Sequence, residues 1–207
     1  MSTKTKNTEI AIRSAKTEDV DQMVALIDYY VEKEIMLPRR AESIRESLDD
    51  WLVATLTDET DTVIGFGSLV ELTQDLVEIR SIATIDGYEG AGIGSQIVLA
   101  LVELAHIRNY AQVCALTLRE TFFTRLGFEL VDRWSISPKV WQACIFCPKF
   151  NRCDEVAVLM NLVEQPEKVG LVTPVSKGIK QLMQRPEWGR PLRLAYQHRP
   201  MGHHVAS

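Results

Sequence analysis

Residues 88–94, Tyr-Glu-Gly-Ala-Gly-Ile-Gly, stand between an apolar, strand-like run, Leu76 to Ile85, and a helical pattern that starts at Gly92-Ile93 and continues through Ile97, Leu101 and Leu104. A glycine-rich turn that feeds a helix N-terminus exposes several backbone N–H groups, which suits it to hold a phosphate-bearing ligand. Glycine at 90, 92 and 94 permits positive φ and close approach, because no Cβ stands in the way. The spacing lacks the Gly-Lys-Ser/Thr ending of a nucleotide-triphosphate loop, and a dinucleotide fingerprint would need a βαβ unit around it. Two readings therefore stay open on the turn alone: a pyrophosphate cradle, or a merely tight strand-to-helix connection.

Around this turn the chain reads as mixed α/β. Ile10 to Arg13 is a short strand; Thr17, with Glu18 and Asp19, opens a helix whose Val20, Met23, Val24, Ile27 and Val31 share a face. A weaker helix spans Ala41 to Asp49. Trp51 to Leu56 and Val63 to Leu72 form a hairpin across the acidic turn Thr57 to Thr62. Val77 to Thr84 leads to the glycine turn and a helix from Gly92 to Arg108. A strand at Val113 to Leu118, a short helix at Thr121 to Leu126 stopped by Gly127, and strands at Phe128 to Arg133 and Val156 to Leu162 complete the sheet. An antiparallel half joined by a helix crossover to a later strand predicts a mixed, mostly antiparallel sheet flanked by helices rather than a doubly wound parallel one.

The 207 residues and 46% hydrophobic content suit one core. Charge divides the chain: up to Glu164 there are 16 basic and 26 acidic residues, whereas Gln165 to Ser207 carries 7 basic and 2 acidic ones and five prolines. Residues 1–9 are thus read as a flexible start, 10–164 as the domain, and 165–207 as a basic tail with at most a short helix near Val175 to Met183. The overall charge of −5 argues against non-specific nucleic-acid binding. No apolar stretch is long enough to span a bilayer, and MSTKTKNTEI lacks a signal core, so a cytoplasmic address is expected. Cys114, Cys144, Cys147 and Cys153 are too few and too clustered for a disulfide framework. Cys144-x2-Cys147 and Cys153 supply three zinc-type ligands where a structural site wants four. Asp154, His106 or Cys114 could complete the set only if the fold brought them near, so the expectation is a reduced loop and no metal.

The run Glu78-Ile79-Arg80-Ser81-Ile82-Ala83, then Gly87-Tyr88-Glu89-Gly90-Ala91-Gly92-Ile93-Gly94, and later Phe122-Phe123-Thr124-Arg125-Leu126-Gly127-Phe128 resembles the acetyl-CoA-binding core of the GNAT N-acetyltransferases, over roughly Ile10 to Leu162. The resemblance implies that the glycine turn cradles the coenzyme pyrophosphate and that the preceding strand splays from its neighbour, so that the pantetheine arm lies between them like an added strand. The coenzyme-binding residues are then expected to be Ile82, Ala83, Thr84, Glu89, Gly90, Ala91, Gly92, Ile93, Gly94, Phe122 and Phe123. The family usually has Arg or Gln where Glu89 stands; here the backbone N–H would bind while the carboxylate turns to water.

Lys139 to Phe150, with Cys153-Asp154-Glu155, is similar to the C-terminal segment of N-acetylglutamate synthases, and Glu78-Ile79-Arg80, Leu37-Pro38-Arg39 and Leu116-Thr117 also look like that group. The larger members carry an amino-acid-kinase domain; this chain resembles the short, stand-alone form. The implied reaction is acetylation of the α-amino group of L-glutamate by acetyl-CoA, the opening step of arginine synthesis, with small-molecule substrates as the partners and a homodimer left open.

Acetyl transfer needs a deprotonated amine near the thioester carbonyl and a proton for the departing thiolate. Glu78 is the expected base, directly or through water; the competing reading is an edge carboxylate paired with Arg80 or a lysine. Many GNAT relatives use a tyrosine acid near the short helix. The aligned residue is Phe123, which has no proton to give, leaving solvent, a backbone amide or the Thr117 hydroxyl. The carboxylates of glutamate ask for guanidinium forks or lysines, expected from Arg39, Arg80 and Lys139, with Arg40 and Arg119 behind them. Trp141 and Phe150 are expected to cover the acceptor pocket or the core. Two alternatives keep the fold: another small amine as acceptor, or a catalytically silent acetyl-CoA-binding module.

Overall fold

The computed structural model describes residues 10–56, 61–88, 90–147 and 149–162. The expectations for residues 1–9 and 165–207, for the middle of the acidic turn and for Glu89 fall outside these residues.

Seven strands form a single sheet in the order β1-β2-β3-β4-β5-β7-β6: β1 (Ile10–Ser14), β2 (Trp51–Leu56), β3 (Val63–Glu71), β4 (Leu76–Thr84), β5 (Gln112–Thr117), β6 (Glu129–Val131) and β7 (Val156–Asn161). All neighbours pair antiparallel except β4 and β5. That parallel pair needs a crossover, which α3 (Ile93–Ile107) supplies. The expectation of a mixed, mostly antiparallel sheet flanked by helices is borne out. The last strand by sequence, β7, inserts between β5 and β6.

Packing obeys period. In α1 (Val20–Glu32), Val20, Met23, Leu26 and Ile27 are buried and meet Trp51, Val53 and Phe66 on one face of the sheet. In α3, Ile93, Ile97, Val98, Leu101 and Ala105 are buried against Ile64, Val77, Ile79 and Val113 on the other, and each such side chain contributes about 1.5–3 kcal/mol. Gly65 and Gly67 in β3 set how near α3 can lie: a Cβ on Gly67 would stand 2.4 Å from Ile82 Cδ1, 2.8 Å from Leu101 Cδ1 and 2.9 Å from Ile97 Cγ2. The expected helix at Ala41 to Asp49 splits into α2 (Ala41–Arg45) and a 3-10 turn at Leu48–Asp50. The short helix after β5 is α4 (Glu120–Thr124), ended where Gly127 takes a φ of +94°. One helix has no counterpart among the elements expected from the sequence: α5 (Ser137–Gln142), with Pro138 in its first turn, where a missing N–H costs nothing.

Asp19 fastens α1 to β1. Its carboxylate accepts from Arg13 Nη1 at 2.7 Å, from Arg13 Nη2 at 2.9 Å and from the Lys16 backbone N–H at 2.7 Å. Burial pushes the Asp19 carboxyl up, but the guanidinium and the amide outweigh it and hold it below its ordinary value. A lowered carboxyl adds stability above its unfolded pKa and gives it up as pH falls through the folded one. Asp19→Asn is therefore expected to cost about 2 kcal/mol near neutral pH, with wild type and variant converging in acid; urea unfolding at pH 7 and below pH 3 checks this.

Candidate active site

β4 and β5 are in register only at Leu76 with Gln112, Val77 with Val113 and Glu78 with Cys114. Beyond Glu78 the two strands part. β5 stays paired with β7 as far as Thr117, and β4 with β3 as far as Thr84, so the fork opens in the middle of the sheet. A bulge lies on β4 inside it: the register with β3 shifts between Phe66 and Ser68, opposite Ser81, whose φ is +52°. A bulge adds a residue, bends the strand and re-aims the side chains beyond it, so simple alternation does not carry Ser81 to the face of Ile79.

The turn above the fork has the form of an anion cradle. Gly90 and Gly92 take φ of +80° and +78°, with nothing within 4 Å of where a Cβ would be. Gly92 is the cap of α3, and the first carbonyl of the helix ladder is its own, accepting from Gln96 N–H at 3.0 Å. The amides of Ile93, Gly94 and Ser95 have no carbonyl one turn earlier to bond and carry the positive end of the helix dipole. Phe122 lines the turn beside Gly94. Other residues expected there point elsewhere: Ile93 is buried in the α3 core and Ile82 packs against it, Ala83 belongs to the α1 core, and Phe123 is buried between Phe122 and Phe128, 5.1 and 5.2 Å away. Of these, Ile82, Ala83 and Ile93 keep only their backbone for a ligand. The Thr84 carbonyl accepts from Tyr30 Oη at 2.6 Å, which ties the end of α1 to the end of β4.

Glu78 sits at the crotch of the fork, 2% exposed, in an inner strand and not at a sheet edge. Arg80 Nε donates to its Oε2 at 2.5 Å, and Lys139 Nζ forms an ion pair with its Oε1 at 2.8 Å. Lys139 is itself only 8% exposed, placed by α5. That segment is seated by Ile136, buried with Leu72, Leu76 and Cys114. Arg39 completes the group: burial first, then the like charge of Arg80, pull its guanidinium below its ordinary value while Glu78 opposes them, and its buried Nε has no hydrogen-bond partner. Arg39 and Arg80 line a cleft of about 240 Å³ with Ser43, Ser47, Trp51 and Ser68. Arg80 and Lys139 pair with Glu78, and Arg39 adds an unpartnered guanidinium donor to a cleft whose lining also carries the carboxylates of Asp50 and Glu71. Cys114, beside Glu78 in register, has its thiol pushed up to about 12 by burial and by that carboxylate, so it is no nucleophile at ordinary pH.

Thr117 ends β5, 8% exposed, its Oγ1 accepting from Arg119 N–H at 2.9 Å. It continues the alternation of Val113 and Ala115, which face α3, whereas Cys114 lies in register with Glu78. The two residues expected to act are therefore on opposite sides of the sheet and can meet only across the opening of the fork. Of the two places expected for Trp141, the core is ruled out: it is 62% exposed, its ring 6.2 Å from that of Trp134. Phe150 lies under Arg133, 5.9 Å from its guanidinium carbon. Among the described residues no group of three or more His, Cys, Asp or Glu is arranged to hold a metal, Cys144, Cys147 and Cys153 included. Arg133 had no sequence signal, whereas Glu155 closes the Cys153-Asp154-Glu155 run; desolvation pushes its carboxyl up, with Lys139 opposing and Glu78 adding to the push.

Residues 49–130 match the family model of the acetyltransferase (GNAT) domain. Over 154 residues the chain is 31% identical to an uncharacterized N-acetyltransferase of Chlorobaculum tepidum, covering 74% of this chain and 97% of that one. The chain belongs to the GNAT acetyltransferases. It is also 33% identical over 130 residues to an amino-acid acetyltransferase of Mycobacterium tuberculosis, covering 63% of this chain and 74% of the relative. Among solved structures, a Mycobacterium tuberculosis protein in complex with CoA and NLQ superposes with a TM-score of 0.64 at 27% identity, over 74% of this chain and 99% of that one. Phe123, the residue expected to align with a tyrosine acid, is buried and has no hydroxyl. No described helix is long and apolar enough to cross a membrane.

Proposed function

We propose that this GNAT acetyltransferase transfers the acetyl group of acetyl-CoA to the α-amino group of L-glutamate, as in the first step of arginine synthesis. The observation that carries the reading is the position of Glu78: a buried carboxylate at the point where β4 and β5 separate, held between Arg80 and Lys139. The pyrophosphate would rest on the amides of Gly90 to Gly94 and the pantetheine arm in the fork, which brings the thioester toward Glu78. The acceptor enters from the cleft of Arg39 and Arg80, a carboxylate on guanidinium, its ammonium facing the anionic Glu78.

That placement sets the chemistry. Glu78 removes a proton from the ammonium, directly or through one water; the freed lone pair attacks the thioester carbonyl and the new C–N bond forms. The tetrahedral intermediate collapses with cleavage of the C–S bond; the second proton of the nitrogen passes through water or the Thr117 hydroxyl, which regains the proton it gives, to the departing thiolate, and Glu78 returns its own proton to solvent. Arg80 and Lys139 keep the base oriented. The buried, unpartnered Nε of Arg39 favours an acidic acceptor over a polyamine, and the similarity to an amino-acid acetyltransferase points the same way.

Thiol release from acetyl-CoA, followed with a panel of amino acids, polyamines and peptides, tests this. Glutamate is expected to give the highest kcat/KM. A higher value with a polyamine or peptide would replace the substrate but keep the fold's chemistry. Coenzyme binding by calorimetry with no turnover on any acceptor would favour the silent binding module.

A further inference from the structure

Buried polar groups in folded proteins are almost always paired, and a buried donor left without a partner costs most when it is charged. Among the described residues two buried side-chain atoms lack a partner, Arg39 Nε and Arg133 Nη1. Both are guanidinium donors. Arg39 lies beside Arg80 and Glu78. Arg133 opens the 3-10 turn Arg133–Ile136 that runs directly into α5, six residues ahead of Lys139. Its neighbour Asp132 caps the 3-10 turn, accepting from Trp134 N–H at 2.8 Å, and Arg133 Nη1 makes no hydrogen bond to it. The Arg133 guanidinium carbon lies over the ring of Phe150, 5.9 Å from the centroid, which supplies no hydrogen-bond acceptor for Nη1.

We propose that Arg133 is a specificity-determining residue that binds the second carboxylate of the acceptor, so that Arg39 with Arg80 and Arg133 with Lys139 form two anion sites on either side of Glu78. This rests on the acceptor being an amino acid, as in the proposed function. It adds the residue that separates glutamate from its amide. The charge at Cys144 agrees: burial raises its thiol, while Lys139 and Arg133 both pull it back, so the two cations act on one neighbourhood. A carboxylate accepts two N–H bonds from a guanidinium, whereas an amide offers one oxygen and presents donors to donors.

The test is acetyl transfer to L-glutamate and to L-glutamine by wild type, Arg133→Met and Arg133→Lys, with melting temperature measured alongside. Arg133→Met is expected to lower kcat/KM for glutamate by about 10- to 100-fold through the acceptor's KM, the scale of a charge-assisted hydrogen bond. Glutamine turnover and the KM for acetyl-CoA should stay within about twofold. The melting temperature should hold or rise, since an unpaired buried donor is gone; a purely structural arginine would lower it. Arg133→Lys should keep part of the preference for glutamate. An unchanged glutamate-to-glutamine ratio in both variants would overturn the proposal while leaving the amino-acid reading intact. A wild type that binds acetyl-CoA but acetylates neither amino acid would overturn that reading and this inference with it, and shows before any variant is made.

Discussion

Replacing Glu78 by glutamine is expected to cut kcat for acetyl transfer by about 10²- to 10⁴-fold, the span that a positioned acid–base group contributes. The KM for acetyl-CoA should move little, because the turn at Gly90 to Gly94 is untouched. The amide fills the same space and keeps one oxygen for Arg80 or Lys139, but it cannot take a proton. It also leaves two cations facing a neutral group in a buried place; complete loss of such a partner costs about 3–5 kcal/mol, and the isostere should cost less. Calorimetric binding of coenzyme A to the variant separates lost chemistry from lost fold. A kcat within threefold of wild type, with coenzyme binding retained, would mean that the proton leaves by another route.

The second large effect is mechanical. Gly67→Val is expected to destabilise the protein by about 3 kcal/mol, the upper part of the usual range for overpacking, and to lower its melting midpoint by roughly 6–12 °C for a domain of this size. The first carbon added already overlaps Ile82, Leu101 and Ile97, and two of those three side chains belong to α3, so the helix must lift. Its N-terminus is the proposed pyrophosphate cradle. A variant that still folds should therefore bind coenzyme A more weakly although residue 67 touches no ligand. Thermal denaturation with and without coenzyme A reads both consequences, and an unchanged midpoint would show that α3 has slack on the sheet.

What could be read in advance was local in origin. The strand, glycine turn and helix from Leu76 to Leu104 declare themselves because period and positive φ are demands on neighbouring residues. Glu78 and Arg80 could be paired by strand alternation alone. Lys139 and Arg39 reach the same carboxylate from far along the chain. Only the family resemblance suggested them, since no local rule places a loop at 33–40 or the start of α5 over β4. The bulge at Ser81 carries no glycine to announce it. The insertion of β7 between β5 and β6 is a matter of distant pairing. Trp141 misled because an aromatic residue in an apolar run suggests shelter, yet it lies on the outer side of α5. Arg133 looked like any surface cation; what sets it apart is an unmet donor, a property that exists only once the chain has folded.

Within the sheet, the ladder between the leaf β1–β4 and the leaf β5–β7 is three rungs long, from Leu76 with Gln112 to Glu78 with Cys114. Such a molecule is a book bound along a short spine. On the proposed reading, the thioester arm is the missing page: inserting it turns two leaves into one board, and withdrawing the spent thiol lets them flex apart. Occupancy and stiffness would then be the same event, felt first at the spine, where the base waits.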